Sequence, residues 1–136
     1  MTSLPAVTSN LPSLANRVGF WMCAFLVAYL FFNVARSLMN PVGFAVYYGI
    51  PLTDPNNTPF VYVYALRTLF IALFALVLVI RQDYTLLTWL VFIGAVLPIG
   101  DAVLVGLQGG ATSIVIRHSL IAVFLLVTAF LLRRPS

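Results

Sequence analysis

Four long apolar runs restrict what this chain can fold into. They cover residues 18–35, 60–80, 84–105 and 113–132, and each approaches or exceeds the ~20 residues that a helix needs to cross a bilayer. None alternates strictly as a strand would, and a transmembrane barrel needs many more segments. With 62% hydrophobic and 7% charged residues, the chain has too few polar groups for a soluble surface. The sequence predicts an all-α integral membrane protein, an antiparallel four-helix bundle in a single transmembrane domain over residues 1–136.

The connection between the first and second runs predicts a short additional helix. Asn40 followed by Pro41 is typical of a helix N-cap and first turn, and Gly49 followed by Pro51 is typical of a helix end. The segment between them is apolar and too short to span a bilayer, so we expect an interfacial or re-entrant helix. Two interpretations stay open: a lid over a functional site, or a surface helix that shields the end of the bundle.

Arginines at the ends of the runs predict the topology. Four of the chain's arginines flank the side that holds both termini: Arg17, Arg81, Arg133 and Arg134. The opposite flank has only Arg36 outside a clear span. Because positive residues are retained in the cytoplasm, we expect cytoplasmic termini and a non-cytoplasmic connection at 36–59. In a eukaryotic cell, the membrane would be the endoplasmic reticulum or another endomembrane.

Asp101 is the one acidic residue within an apolar run. A carboxylate there costs roughly 2.5–3.5 kcal/mol on insertion-based scales, so it needs a partner or a function. Pro98, one turn earlier, has no N–H to donate to the carbonyl of Gly94, which leaves a backbone acceptor nearby. A buried acid beside an irregular helix indicates a site.

The other uncommon residues collect at the same, non-cytoplasmic end of the predicted bundle. Our candidate catalytic residues are Asp101, His118 and Arg67. Our candidate substrate-binding residues are Asn33, Arg36, Asn40, Tyr48, Tyr64 and Arg117. We expect the three catalytic candidates to line one cavity beneath the segment 40–50.

Each candidate also has a purely structural interpretation. Arg67 and Asp101 are expected in direct or single-water contact, and they could simply lock the second span to the third as an ion pair. His118 could be a hydrogen-bonded structural histidine, and Arg117 could extend its guanidinium to the interface. Asn33 could join helices, and the tyrosines could form an interfacial belt.

Several short motifs resemble a family of small four-span proteins from fungi and bacteria, catalogued as domain of unknown function four-two-six-seven. The motifs are Arg36, Asn40-Pro41, Gly43-Phe44, Tyr48-Gly49-Ile50-Pro51, Ala65-Leu66-Arg67, Gly100-Asp101-Ala102 and His118, within residues 18–132. The resemblance implies a role in secondary-metabolite biosynthesis, on a lipophilic intermediate. It also implies a second acidic residue after the arginine of the second span. Thr68 and Leu69 stand there instead, so that carboxylate is missing.

The residues favour proton chemistry if the protein is an enzyme. No metal-binding, flavin, nicotinamide or phosphate-loop motif is present, so we expect no cofactor and no metal. Isomerisation, cyclisation or hydration of a lipophilic molecule would use Asp101 or His118 as acid/base, with Arg67 stabilising an oxyanion or fixing Asp101.

Two other classes of function stay open. The first is a non-catalytic scaffold or accessory protein. The second is a proton or solute pathway, which would require a homo-oligomer because the polar residues extend only halfway across the bilayer. The expected partners are membrane lipid and a lipophilic small molecule. We expect no nucleic acid, since the seven arginines are scattered along the chain.

Overall fold

The computed structural model describes residues 14–133, and these residues form helices joined by short connections. The helices are α1 (Leu14–Met39), α2 (Pro41–Tyr48), α3 (Thr58–Arg81), α4 (Tyr84–Gly94), α5 (Val96–Leu107) and α6 (Thr112–Leu132), with a 3-10 turn at Pro55–Asn57 before α3. Arg134, which enters the topology prediction, lies outside the described residues.

The predicted architecture is confirmed. Four helical spans are long and apolar enough to cross a membrane, with α4 and α5 together forming the third, Tyr84–Leu107. The short helix predicted after Asn40 is α2. The first span is longer than its apolar run, because α1 extends to Leu14 and Met39.

Pro98 interrupts the third span, as its position predicts. Because proline has no N–H, the carbonyl of Gly94 lacks its usual donor four residues later. Helix α4 ends at Gly94 and α5 begins at Val96. Ala95 between them keeps helical angles (φ −62°, ψ −21°), so the interruption is one residue long and the span stays continuous.

The helices do not pack equally around the bundle. Helix α1 packs against α3 and α6, and α6 packs along both halves of the third span. Helix α3 contacts α4 but has no extended packing against α5. Helix α2 packs on α1 and α3.

The core is narrow and the outer surface is apolar. Small buried residues such as Ala65, Ala72 and Ala75 let α3 approach its neighbours closely. Large apolar side chains such as Phe70 and Leu107 are exposed. An outer surface of this kind suits lipid and not water, so the chain is a small integral multi-pass membrane protein.

Candidate functional site

Capping interactions fix both ends of α2. The Asn40 side-chain oxygen accepts a hydrogen bond from the Gly43 N–H at 2.9 Å, and Pro41 occupies the first turn. At the other end, Gly49 adopts a left-handed conformation (φ 104°), and the N–H groups of Gly49 and Ile50 both donate to the Ala45 carbonyl at 3.1 Å. The start and stop predicted for this helix are confirmed.

Gly49 also brings the end of α2 into the bundle. A Cβ atom at this position would lie 2.8 Å from Ile114 Cγ2 and 3.1 Å from the Val105 methyl groups. Only glycine therefore allows the α2 backbone to approach α5 and α6 this closely. As a result, the adjacent residues Tyr47 and Tyr48 face polar side chains of the long helices.

Tyr48, Asp101 and His118 form a polar cluster that joins α2, α5 and α6, which we call the Asp101 cluster. His118 Nε2 lies 3.1 Å from the Tyr48 carbonyl oxygen, and the two rings meet edge-on with centroids 5.0 Å apart. His118 Nδ1 lies 3.9 Å from Asp101 Oδ2. The Tyr48 side chain lies near the same carboxylate.

The groups that face the two ring nitrogens of His118 determine which nitrogen carries hydrogen. A backbone carbonyl only accepts, so Nε2 must carry hydrogen and donate to Tyr48. The other ring nitrogen, Nδ1, then faces Asp101. At 3.9 Å, Nδ1 and Oδ2 are too far apart for a direct hydrogen bond, and a protonated imidazole at this position would form an ion pair with the carboxylate.

Exposure distinguishes the roles open to these residues. The His118 side chain is 5% exposed, whereas that of Asp101 is 28% exposed. Burial raises the pKa of the Tyr48 phenol, and the nearby Asp101 carboxylate raises it further. Tyr48 is thus a neutral hydrogen-bond donor, and Asp101 is more accessible to an outside molecule than His118 is.

An open apolar groove of about 160 Å³ lies beside the cluster. Its walls come from α2, the following loop and α3: Phe44, Ala45, Tyr48, Ile50, Leu52, Phe60, Val61 and Tyr64. Tyr48 belongs to both the groove and the cluster, and the ring of Tyr64 lies 5.3 Å from it. The groove lining does not include Asp101, His118 or Arg67, so the single cavity expected around these three is not found at this groove.

A second cluster surrounds Tyr47, on the α1 side of α2, and we call it the Tyr47 cluster. The guanidinium carbons of Arg36 and Arg117 each lie 3.9 Å from the Tyr47 ring centroid. Arg117 also donates a hydrogen bond to the Tyr47 carbonyl. Tyr29 lies close to Tyr47, and the Asn33 side chain donates to the Tyr29 carbonyl.

Of the direct or single-water contact predicted between Arg67 and Asp101, the direct form is not found. Within residues 14–133, the carboxylate's ion-pair partner is His118, and Arg67 has no carboxylate within 4.0 Å. Arg67 is exposed because it follows Ala65 by two residues, which turns it away from the buried face of α3. Asp101 faces His118 on α6.

Two other candidates have internal hydrogen bonds. Asn40 is exposed and caps α2. Asn33 is buried and donates to the Tyr29 carbonyl at 2.9 Å. Tyr48, Tyr64, Arg36 and Arg117 do converge at one end of the bundle, as expected, but in two separate groups.

Tyr47 and Gly49 organise the site but were not among the predicted site residues. The pattern Asn40-Pro41 to Gly49 does predict the helix end at which they lie. It gives no information on which long helices that end contacts, because the contacts join residues about 70 positions apart, such as Arg117 and Tyr47.

Comparisons with known proteins give a family and no activity. Among residues 14–133, no three His, Cys, Asp or Glu side chains are grouped as metal ligands would be. No curated protein and no solved structure matches the chain. One family model, described as Domain of unknown function (DUF4267), matches residues 18–132. The match covers all four spans and both clusters, and on this evidence the chain belongs to that family.

Proposed function

We propose that this protein is a cofactor-independent acid/base enzyme of the isomerase, cyclase or hydratase type, acting on a lipophilic small molecule. One observation carries the proposal: Tyr48 forms part of an apolar groove and also contacts His118 through its ring and its carbonyl, and His118 faces the Asp101 carboxylate. A titratable pair next to an apolar groove is the arrangement that proton transfer to a lipophilic substrate requires.

Each residue of the cluster has a separate role in this proposal. Asp101 gives a proton to the substrate or takes one from it, since it is the exposed member. His118 holds the proton when Asp101 is ionised, and the Tyr48 carbonyl keeps its ring in the required orientation. The Tyr48 hydroxyl orients Asp101. An isomerisation or cyclisation returns the proton, so no co-reactant is needed, and a hydration adds only water.

The surroundings of the groove support a lipophilic substrate. Its walls are apolar apart from the hydroxyls of Tyr48 and Tyr64, and Phe44 stacks near both tyrosine rings. We place the substrate among intermediates of secondary metabolism, on the basis of family likeness alone.

The test compares Asp101→Asn with Asp83→Asn. The first change keeps the shape of the side chain but removes its titration. The second makes the same chemical change at the N-cap of α4, where asparagine is as good a cap as aspartate. In a strain that makes the product of the pathway, the amount of this product and the level of the protein are measured together. We expect Asp101→Asn to lose product at a normal protein level, and Asp83→Asn to keep both.

A non-catalytic scaffold is the second candidate, and one observation favours it. The side chains of Arg117 and His118 both bond to α2 backbone carbonyls, so they hold α2 on α6 whether or not chemistry occurs. For a scaffold, Asp101→Asn would lower the product only in proportion to protein level. That result would overturn the enzyme proposal.

We further propose that both termini are cytoplasmic and that α2 and the groove lie at the opposite membrane surface. The arginine distribution supports this orientation. In a eukaryotic cell the host membrane would then be the endoplasmic reticulum or another endomembrane, with the groove facing its lumen.

A further inference from the structure

We propose that the Tyr47 cluster binds a phosphate-type oxyanion through Arg36 and Arg117. This site lies on the α1 side of α2 and is separate from the groove and from the Asp101 cluster. It does not depend on the proposed enzymatic activity, and nothing in the preceding proposal uses it.

The acidic residues of the chain do not pair with Arg36 and Arg117. The whole sequence contains three acidic side chains. Within residues 14–133, no carboxylate lies within 4.0 Å of either guanidinium, and the ion pair of Asp101 is with His118. A counter-anion for Arg36 and Arg117 would therefore come from outside the described residues.

Burial distinguishes these two arginines from the others in the described part of the chain. Arg17, Arg67, Arg81 and Arg133 are exposed, so counter-ions or lipid headgroups can approach them, in the case of Arg67 by extension of its side chain along the span. Arg36 and Arg117 are partly buried and share the ring of Tyr47. Two cations held this way in a region of low dielectric are costly without an anion.

Arg36 and Arg117 keep hydrogen-bond donors that the described residues do not use. Arg117 Nη2 donates to the Tyr47 carbonyl, whereas its buried Nε has no hydrogen-bond partner among residues 14–133. Both guanidinium carbons lie over the Tyr47 ring, a contact that uses no N–H group. Planar N–H edges match pairs of phosphate oxygens, which favours a phosphate over a halide.

Position supports a phosphate as well. Arg36 lies in the last turn of α1 and Arg117 in the second turn of α6, so both lie near the ends of membrane spans. Phospholipid headgroups lie at this depth. The same chemistry could come from a lipid headgroup or from a free phosphate group, and the experiment separates the two sources.

The test measures anionic lipid retained by protein extracted from phosphatidylcholine vesicles that contain phosphatidylglycerol. The variants are Arg36→Gln, Arg117→Lys and their combination, and Arg81→Gln is the matched control at the other end of the bundle. At ~1 kcal/mol per arginine, we expect about fivefold weaker retention for Arg36→Gln. Arg117→Lys keeps the charge and the fold but loses the planar contact. It should show a smaller loss, which adds to that of Arg36→Gln in the combination.

In a parallel experiment, inorganic phosphate is added to lipid-depleted protein. The thermal unfolding of this sample is compared with that of the same protein in chloride at equal ionic strength. Stabilisation by phosphate that Arg36→Gln removes would assign a free phosphate group as the ligand, and retention of phosphatidylglycerol alone would assign a lipid headgroup. If neither arm distinguishes Arg36→Gln from Arg81→Gln, the site does not exist. These experiments measure lipid retention and thermal unfolding, whereas the enzyme proposal is tested by product formation. Failure of one proposal can therefore be distinguished from failure of the other.

Discussion

His118 Nε2 on α6 lies 3.1 Å from the backbone carbonyl oxygen of Tyr48, the last residue of α2. This contact fixes the tautomer of the histidine, and it turns Nδ1 towards Asp101 at 3.9 Å. A short helix between two spans thus sets the geometry of a titratable pair on two other spans. The predictions below test this arrangement and the structure around it.

Asp101 should be energetically coupled to His118 and not to Arg67. In a double-mutant cycle on stability in detergent, Asp101→Asn with His118→Gln should deviate from additivity by about 0.5–3 kcal/mol, because the side chains are in contact. The control cycle, Asp101→Asn with Arg67→Gln, should be additive within about 0.5 kcal/mol. Strong coupling in the control cycle alone would contradict the assignment of His118 as partner.

Gly49→Ala should destabilise the protein by about 2 kcal/mol or more. The reason is that the left-handed backbone disfavours any side chain and that the added methyl group would lie too close to Ile114. Gly100→Ala is the control, since a Cβ there meets no atom within 4 Å. That change should be neutral or stabilise α5 by about 0.5–1 kcal/mol. Thermal unfolding of both variants in one detergent measures the difference, and equal effects would show that α2 does not enter the bundle in this way.

Asn40→Ala should cost about 1 kcal/mol by removing the cap of α2, whereas Asn40→Ser should retain most of the stability. The comparison separates capping from substrate contact. If Asn40 only caps, Asn40→Ser should keep normal product formation at normal protein level. Loss of product in a stable Asn40→Ser variant would instead indicate direct contact with the substrate.

The topology prediction is testable with single cysteines at Asn56 and Gln82, which are exposed in loops at opposite ends of the bundle. The chain's one cysteine, Cys23, is 2% exposed and should contribute little background. A membrane-impermeant thiol reagent added from the non-cytoplasmic side should label Asn56→Cys. Labelling of Gln82→Cys from that side would reverse the proposed orientation.

The sequence by itself determined the four spans and the short helix. Each span follows from an apolar run close to the thickness of a bilayer, which is a local property of the chain. The ends of α2 follow from Asn40 and Gly49, and the interruption of the third span follows from Pro98. Signals of this kind depend on residues within a few positions of one another.

Only the tertiary structure decided which polar residues meet. Asp101 was expected to contact Arg67 because buried charges require partners. The sequence does not determine, however, how α3 is rotated about its own axis. The small buried residues of α3 set that rotation and leave Arg67 exposed. Tyr48 reaches His118 because Gly49 lets the end of α2 pack closely against Ile114 and Val105. These residues lie 65 and 56 positions further along the chain. Such contacts depend on how helices pack in three dimensions, so local patterns cannot predict them.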